Sequence, residues 1–276
     1  MIDIILAAVP FFILFIVLEL LSLWFAPDDD EVGYDARDTA TSLAMGLGSV
    51  VVGLSYKALA VATYSAAYLL TPLRIDPGNP AAWVVIFFLD DLCYYWFHRA
   101  HHEIRVLWAS HVVHHSSQRY NFSTALRQTW TPFGALPFWL PLALLGFPPW
   151  MILLQQSINL LYQFFLHTER VDRLPRPVEL VMNTPSHHRV HHGSNPGYLD
   201  RNYGGILILW DRLFRTFEPE GERVVYGLTK NLRSNNPFVV AFHEYVAIAR
   251  DLRASASWRS RLSFVARGPG WRPEVG

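Results

Sequence analysis

Histidine is concentrated in one part of this chain. Eleven of its twelve histidines lie between residues 98 and 192. Ten of these form three clusters, HRAHH at 98–102, HVVHH at 111–115 and HHRVHH at 187–192, and His167 lies between the second and third. Imidazole is the commonest protein metal ligand, and side chains three or four residues apart share a helix face. The three clusters therefore predict a site for more than one metal ion.

A metal centre explains this pattern better than chance or ordinary core packing does. One HxxHH motif can arise by chance, but three of them in a chain that is 51% hydrophobic need a common cause. Imidazoles packed together would repel one another if charged and would lose their hydration if neutral. A bound cation removes both difficulties, so we predict a polyhistidine metal centre.

Long apolar segments indicate that the chain is an integral membrane protein. Residues 4–18 carry no charge before Glu19, and about 20 mostly apolar residues span a bilayer. Because no basic region precedes this segment, we expect a retained membrane helix and not a cleaved signal peptide. Residues 40–70 are interrupted only by Lys57 and could form a tilted helix, a helix with a re-entrant segment, or two short helices. Residues 81–97 form a third apolar segment.

A fourth apolar region, residues 132–166, is typical of a hairpin with two arms, bent at Gly146-Phe147-Pro148-Pro149. We therefore predict an all-α fold. It is an integral membrane helical bundle with a cytosolic helical cap that carries a polyhistidine dimetal site. Membrane-spanning helices lie within residues 1–97, and the membrane hairpin covers 132–167. Residues 221–276 are predicted to be a polar C-terminal tail, loosely ordered from about Arg250.

The distribution of basic residues predicts the orientation, although the formal net charge is zero. Of 23 Lys and Arg residues, four lie in 98–128 and sixteen in 169–276. Both stretches lie on the same side of the membrane if 132–167 is a hairpin, and the positive-inside rule makes that side cytoplasmic. We expect a multi-pass protein of a bacterial inner membrane with its active site on the cytoplasmic face. The basic residues favour a solvated surface near anionic lipid, and no nucleic acid partner is expected.

Ligand type alone leaves several metals open. All-histidine sites suit zinc, copper, iron or nickel, and eight or more candidates exceed the four ligands of a structural zinc site. A zinc metalloprotease needs HExxH, whereas His102-Glu103 is followed by Ile-Arg-Val. The single Cys93 excludes a cysteine-ligated iron–sulfur cluster and an internal disulfide. A haem pair and a transport pathway are disfavoured because the histidines lie at helix ends. A zinc-dependent membrane hydrolase and a metal-binding protein remain alternatives.

Acidic residues near the histidines are candidates for orienting the ligands. A metal-bound imidazole usually donates its second N–H to a carboxylate or a carbonyl, which fixes the ring. The main candidates for this role are Asp91, Glu103 and Glu169, and the others are Asp90 and Asp211.

Three motifs together resemble a known superfamily. DDLCYYWFHR at 90–99, HVVHHS at 111–116 and SHHRVHHG at 186–193 are similar to the fatty acid hydroxylase / sterol desaturase superfamily of membrane non-haem di-iron enzymes. Four further motifs resemble its alkylglycerol monooxygenase branch: YNFSTALRQ at 120–128, FLHTE at 165–169, NTPSHH at 183–188 and DRNYGG at 200–205. The resemblance covers roughly residues 85–220 and implies a catalytic core there.

Carried over by position, the resemblance implies a set of metal ligands. Eight histidines match the superfamily's iron ligands and are the predicted catalytic residues: His98, His102, His111, His114, His115, His188, His191 and His192. His167 resembles an additional ligand, and His187 matches a frequent extra histidine. His101 is left as a neighbour without a role. The resemblance further implies two iron ions, O₂ as co-substrate and hydroxylation of a lipid C–H bond.

The electron donor and the substrate are less constrained. In the ether-lipid branch, tetrahydrobiopterin supplies the reducing equivalents. This chain has no fused cytochrome b5 module and no glycine-rich nucleotide motif, so the reductant is external: a ferredoxin, a cytochrome b5-like protein or a reduced pterin. We expect an ether-lipid or sterol-like substrate. A desaturase or a carotenoid-type hydroxylase with the same site is the alternative.

Overall fold

Three long apolar helices build the first part of the fold. The computed structural model describes residues 4–273. Helices α1 (Ile4–Phe25), α2 (Ala36–Leu70) and α3 (Pro80–Glu103) are each long and apolar enough to cross a membrane. Large side chains such as Leu47 and Val51 point outward and are exposed. In the described part of the chain we find helices and no strands, which confirms the all-α prediction.

Helix α2 is continuous over all 35 residues. Of the three possibilities left open for residues 40–70, the structure has the single helix. At 1.5 Å per residue it is about 52 Å long, well beyond the roughly 30 Å of a bilayer core. Asp35 caps its beginning by accepting hydrogen bonds from the backbone N–H groups of Arg37 (3.0 Å) and Asp38 (2.9 Å). One end of α2 must therefore extend beyond the apolar phase.

Helix α3 carries the first histidine cluster at its end. Asn79 caps its beginning, and Pro80 occupies the first turn, where the missing N–H costs nothing. The helix continues beyond the apolar segment, through His102 to Glu103. Ile104 alone separates it from α4 (Arg105–His115), so the first and second clusters lie on adjoining helices.

The apolar region after residue 131 reverses direction once. A 3₁₀ turn (Pro132–Ala135) leads into α6 (Leu136–Leu144), and α7 (Pro149–Phe164) returns. Gly146 lies at the bend with φ +91°, and a Cβ there would lie 2.7 Å from the backbone of Leu73. The backbone N–H of Ile75 donates to the carbonyl oxygen of Gly146 (2.8 Å). The bend therefore lies beside the connection between α2 and α3.

Four helices enclose the main hydrophobic core. Fully buried side chains from α2, α3, α6 and α7 meet there: Tyr64, Ile86, Leu142, Met151 and Ile152. Because lipid is as apolar as these side chains, close van der Waals packing between the helices holds the bundle together.

A buried carboxylate connects α1 to the rest of the chain. Glu19 accepts a hydrogen bond from the backbone N–H of Phe122 (2.9 Å) and further ones from the hydroxyls of Tyr34 and Thr168. Phe12 packs on Phe164 with ring centroids 4.4 Å apart. Glu19 thus places the later half of α1 against the loops that carry the histidines.

Short helices form a cap at one end of this bundle. They are α5 (Phe122–Ala125), α8 (Arg176–Val181), α9 (Pro185–His191) and α10 (Leu209–Phe214). The end of α1, the beginning of α2, the end of α3 and the open ends of the α6–α7 hairpin all meet this cap. The Ile4 end of α1 lies at the opposite end of the bundle.

The C-terminal region is more ordered than expected. It forms α11 (Pro237–Ala254) and α12 (Trp258–Ala266), and both pack on α4. Buried Arg105 is paired with Glu244 (2.7 Å) and Asp251 (2.6 Å), both on α11. A buried guanidinium needs such partners, and these ion pairs fix α11 against α4. The expectation of a loosely ordered segment from Arg250 is therefore wrong.

Candidate metal centre

The structure gathers nine buried or nearly buried histidines into two adjacent groups. Within each group, ligand nitrogens lie within 4.8 Å of one another. We call the first the five-histidine group: His98, His102, His111, His115 and His191. We call the second the four-histidine group: His114, His167, His188 and His192. The groups adjoin, since the rings of His115 and His192 stack with centroids 4.4 Å apart. These nine are the eight histidines that the resemblance implies as iron ligands, together with His167.

Helix geometry divides the second and third clusters between the two groups. On α4, His111 and His115 are four residues apart and face one group, whereas His114 faces the other. The third cluster, on α9 and its C-cap, does the same in reverse, with His188 and His192 in the four-histidine group and His191 in the five-histidine group. These two segments therefore lie between the groups. Each would supply ligands to both ions if one ion were bound in each group.

Backbone carbonyls orient several of the rings. The Nδ1 atoms of His98 and His191 lie 2.8 Å and 2.9 Å from the carbonyl oxygens of Tyr203 and Arg201. His167 Nδ1 lies 2.8 Å from the carbonyl of Gln163. Because a carbonyl only accepts, each Nδ1 carries the proton and each Nε2 presents a lone pair. All three rings are thus held in the tautomer that could bind a metal ion.

The spacing of the Nε2 atoms fits a bound cation. His98 and His111 are 2.9 Å apart, and His114 and His167 are 3.0 Å apart. With a metal–nitrogen distance of about 2.1 Å, ligands at right angles lie about 3.0 Å apart and tetrahedral ligands about 3.4 Å apart. Since His167 and His114 both direct Nδ1 at carbonyls, their facing lone pairs would repel without a cation. The nitrogens are therefore close enough together to bind one metal ion in each group.

Several buried ring nitrogens find no partner within residues 4–273. They are His102 Nε2, His191 Nε2, His192 Nε2 and His188 Nδ1. An unsatisfied buried polar atom costs about 1–3 kcal/mol, so four at one place call for a ligand. The residues present therefore fit a pair of metal ions.

Comparison with known proteins gives independent support for the family resemblance. Residues 83–216 match the family model described as Fatty acid hydroxylase. This part of the chain is similar to a fatty acid hydroxylase domain. This confirms the resemblance to that superfamily, and the matched segment contains all nine clustered histidines.

Proteins similar to this chain include alkylglycerol monooxygenases and an ornithine lipid hydroxylase. Alkylglycerol monooxygenase from Homo sapiens is 42% identical over 270 residues, which cover 96% of this chain and 59% of the human protein. The Caenorhabditis elegans protein of that name is 34% identical over 95% of this chain and 54% of its own length. An ornithine lipid hydroxylase from Rhizobium tropici is 29% identical over 66% of this chain and 56% of its own length. The chain thus spans less than two thirds of these relatives. No solved structure matches it significantly.

Two buried carboxylates hold the loop that orients the five-histidine group. Asp211 accepts from the backbone N–H groups of Tyr203 (2.8 Å) and Gly204 (2.7 Å). Asp91 accepts from Ile206 (2.7 Å) and Leu207 (3.0 Å). Neither carboxylate contacts a histidine ring; both fix the backbone whose carbonyls do. Burial raises the pKa of Asp211 to about 6, but its hydrogen bonds act in the opposite direction.

Glycine at position 205 permits this loop to approach the bundle. A Cβ there would lie 2.5 Å from Asn159 Oδ1 and 2.8 Å from the ring of Tyr94. The loop therefore presses directly against α3 and α7.

Two aromatic side chains of the site were not found by sequence reasoning. The ring of Tyr203 lies 5.3 Å from that of His102, and its buried hydroxyl has no hydrogen-bond partner among the described residues. Trp108 packs 5.0 Å from His102 and 5.5 Å from His115. Only the DRNYGG motif pointed to this loop. The spacing of residues alone did not identify Tyr203 as part of the site.

Four other sequence candidates lie outside both groups. His187 Nε2 is 2.8 Å from Glu179 Oε2, and the ring faces away from the other histidines of its cluster. His101 directs Nδ1 at the carbonyl of Phe97 (2.8 Å). Glu103 is exposed and paired with Arg99 (2.8 Å), and Glu169 accepts from the backbone N–H of Val32 (2.8 Å). For Glu103 and Glu169, the structure gives no hydrogen bond to a clustered histidine.

Substituting His187 by glutamine separates a ligand role from a packing role. We expect His187→Gln to keep the metal content of the wild-type protein, because its ring is paired with Glu179 and lies outside both groups. Elemental analysis of the purified protein by mass spectrometry measures this. Loss of one ion per chain would make His187 a ligand.

Burial keeps the clustered imidazoles neutral. It lowers the pKa of His167 to about 4, although hydrogen bonds to the Gln163 and Phe164 carbonyls raise it, and lowers that of His191 to about 3. The pKa values of His111, His115 and His192 also fall well below 6.5, because burial and neighbouring histidines both disfavour charge. Neutral imidazoles are the form that binds metal.

The metal-free protein should lose stability in acid. Between pH 6.5 and about 4, the unfolded chain protonates His167 while the folded chain does not, so protons favour unfolding as pH falls. Each fully buried histidine contributes up to about 1 kcal/mol per pH unit in this window. Thermal unfolding of chelator-treated protein in detergent should give a lower Tm at pH 5.5 than at pH 7.5. Equal Tm values would contradict the buried neutral state.

Proposed function

We propose that this chain is a membrane non-haem di-iron oxygenase that hydroxylates a lipid C–H bond with O₂ and an external reductant. One observation carries the proposal: nine histidines form two adjoining groups where apolar helices meet a polar cap. The relatives named as lipid hydroxylases support the reaction class. Because the chain spans about three fifths of the alkylglycerol monooxygenases, the reaction is proposed for this chain and not transferred from them.

Iron is the proposed metal for both groups. The five-histidine group exceeds the four ligands of a closed structural zinc site. The proposed ligands are the nine histidines of the two groups. Bound there, the two iron ions would supply the activation of O₂ that C–H hydroxylation needs. This requirement for O₂ separates the proposal from a zinc hydrolase.

The protein's own contribution is orientation and exclusion of water. Carbonyls of Tyr203, Arg201 and Gln163 hold three imidazoles in the ligating tautomer. Trp108 and Tyr203 cover the five-histidine group with aromatic surface. Apolar helices deliver the hydrocarbon part of the lipid to this end of the bundle.

We propose that the site faces the cytoplasm. The cap carries most of the chain's basic residues, and the connection between α2 and α3 at the other end carries Arg74. With three crossings, the Ile4 end of α1 then lies on the opposite face. A cytoplasmic site gives access to a protein electron donor or a reduced pterin.

The test is an O₂-dependent lipid assay on the purified chain in lipid nanodiscs. Alkylglycerol, ornithine lipid and free fatty acid are each supplied with iron and either tetrahydrobiopterin or ferredoxin with its reductase. We expect one oxygen atom from ¹⁸O₂ in the product of one lipid and no product under argon. Equal conversion without O₂ or reductant would favour the zinc hydrolase, and loss of two hydrogens without oxygen incorporation would favour the desaturase.

A further inference from the structure

A cleft lined by charged and apolar side chains lies outside both histidine groups. It has a volume of about 370 Å³ and lies between α8, α9 and α10, which is the size of a small-molecule site. Its walls combine three arginines with apolar side chains: Arg173, Arg176, Arg212, Leu174, Leu180 and Phe217. The reaction proposed above uses none of these residues.

The carboxylates beside the cleft are already engaged. Glu179 accepts hydrogen bonds from the backbone N–H of Leu174 (2.9 Å) and from Ser186 Oγ (2.9 Å), and also contacts His187. Glu220 forms a two-pronged pair with Arg189 at 2.7 Å and 2.8 Å. Neither carboxylate needs the three cleft arginines as partners.

The arginines, by contrast, are available. Arg212 is held rigidly: its guanidinium lies over the ring of Phe217 at 3.7 Å and donates to the carbonyls of Leu180 (3.2 Å) and Glu179 (3.1 Å). Arg173 and Arg176 are exposed and form no ion pair with another described residue. Three arginines and two carboxylates therefore line the cleft, and one of the carboxylates, Glu220, is already neutralised by Arg189.

This arrangement selects phosphate. Guanidinium groups bind phosphate oxygens through paired N–H donors, and one fixed and two mobile arginines can surround such a group. We propose that the cleft binds a phosphate group at the level of the lipid headgroups. This goes beyond the proposed hydroxylation and does not depend on it.

The position of the cleft favours a membrane lipid as the source of that phosphate. Phe214, two residues after Arg212, stacks on Tyr95 with ring centroids 5.1 Å apart, near the end of the third membrane helix. Leu174 and Leu180 on the rim are exposed by 36% and 45%. Arginines with apolar side chains at the end of a membrane helix match the interface, where phosphates adjoin acyl chains.

Binding measurements on the full chain in detergent test the proposal. Calorimetric titration with dihexanoyl phosphatidic acid and with inorganic phosphate is applied to wild-type protein, to Arg173→Gln/Arg176→Gln and to Arg250→Gln/Arg253→Gln. The last variant removes the same charge from exposed arginines of α11 and is the matched control. We expect Arg173→Gln/Arg176→Gln to bind dihexanoyl phosphatidic acid at least tenfold more weakly than the wild-type protein does. The control variant should bind it with the wild-type affinity.

The two probes distinguish the sources. Tighter binding of dihexanoyl phosphatidic acid than of inorganic phosphate identifies a lipid headgroup, and equal affinities identify free phosphate. Unchanged binding in Arg173→Gln/Arg176→Gln, or equal weakening in the control, overturns the proposal. Phosphate bound only at the metal centre would appear as unchanged binding. Because the readout is affinity and not turnover, its failure is distinct from failure of the hydroxylase assay.

Discussion

Replacing His188 by alanine is expected to reduce the metal content from two ions to one per chain and to lower turnover by more than about 100-fold. His188 belongs to the four-histidine group, and its Nε2 lies 3.1 Å from that of His167. Loss of a residue that hydrogen-bonds to a metal ligand already lowers metal affinity or activity by about 10–100-fold. Loss of the ligand itself should therefore lower them further. Metal analysis and the nanodisc lipid assay give the two readouts.

His101→Ala is the matched control for this experiment. His101 lies in the first cluster, is buried, and leaves a cavity of the same size, but it belongs to neither group. Its Nδ1 donates within α3, to the carbonyl of Phe97. We expect His101→Ala to keep two ions per chain. If both variants lost one ion equally, the effect would be one of packing and the grouping would be wrong.

Asp211→Asn should weaken metal binding at the five-histidine group and spare the four-histidine group. The carboxylate accepts two backbone hydrogen bonds and one from the hydroxyl of Thr216. In asparagine, an amide nitrogen replaces one of the two oxygens. It would face a backbone N–H of Tyr203 or Gly204 and could not accept its hydrogen bond. Hydrogen bonds to a buried charge contribute about 3 kcal/mol, so the carbonyl of Tyr203 should shift and release His98. We expect a 10–100-fold weaker affinity for one of the two ions.

Stepwise removal of metal by a chelator measures that difference. The variant should lose its first ion at a lower chelator concentration and its second at the wild-type concentration. Glu103→Gln is the control, because Glu103 is 45% exposed and its pair with Arg99 contributes little. Equal loss of both ions from Asp211→Asn would mean that the loop supports the whole fold and not one group.

The long helices and the clustering of the histidines could be predicted from local sequence. Apolar segments long enough to cross a bilayer predicted the α1 and α3 regions. The i, i+3, i+4 spacing predicted one shared face for each cluster, whereas the structure divides the second and third clusters between the two groups. Both signals depend on neighbours within a few residues. The structure places His167 in the four-histidine group, a position the sequence reasoning obtained from resemblance.

Contacts between distant segments could not be predicted in this way. The sharing of α4 and α9 between two groups depends on how helices approach through space. Asp91 and Asp211 act through backbone N–H groups, which carry no sequence signal. Arg105 finds its partners on α11, some 140 residues later, and those partners order a segment whose composition is polar.

The length of α2 has a consequence for the membrane in which this protein works. Asp38, in the first turn of α2, is paired with buried Arg127 (2.7 Å), whose carbonyl lies 3.3 Å from His114 Nδ1. A helix longer than the bilayer is thick responds to a thinner bilayer by tilting. Such a tilt would pull on Asp38 and, through a single arginine, on a histidine of the four-histidine group. Activity should therefore vary with the acyl-chain length of the surrounding lipid, even when the substrate is unchanged.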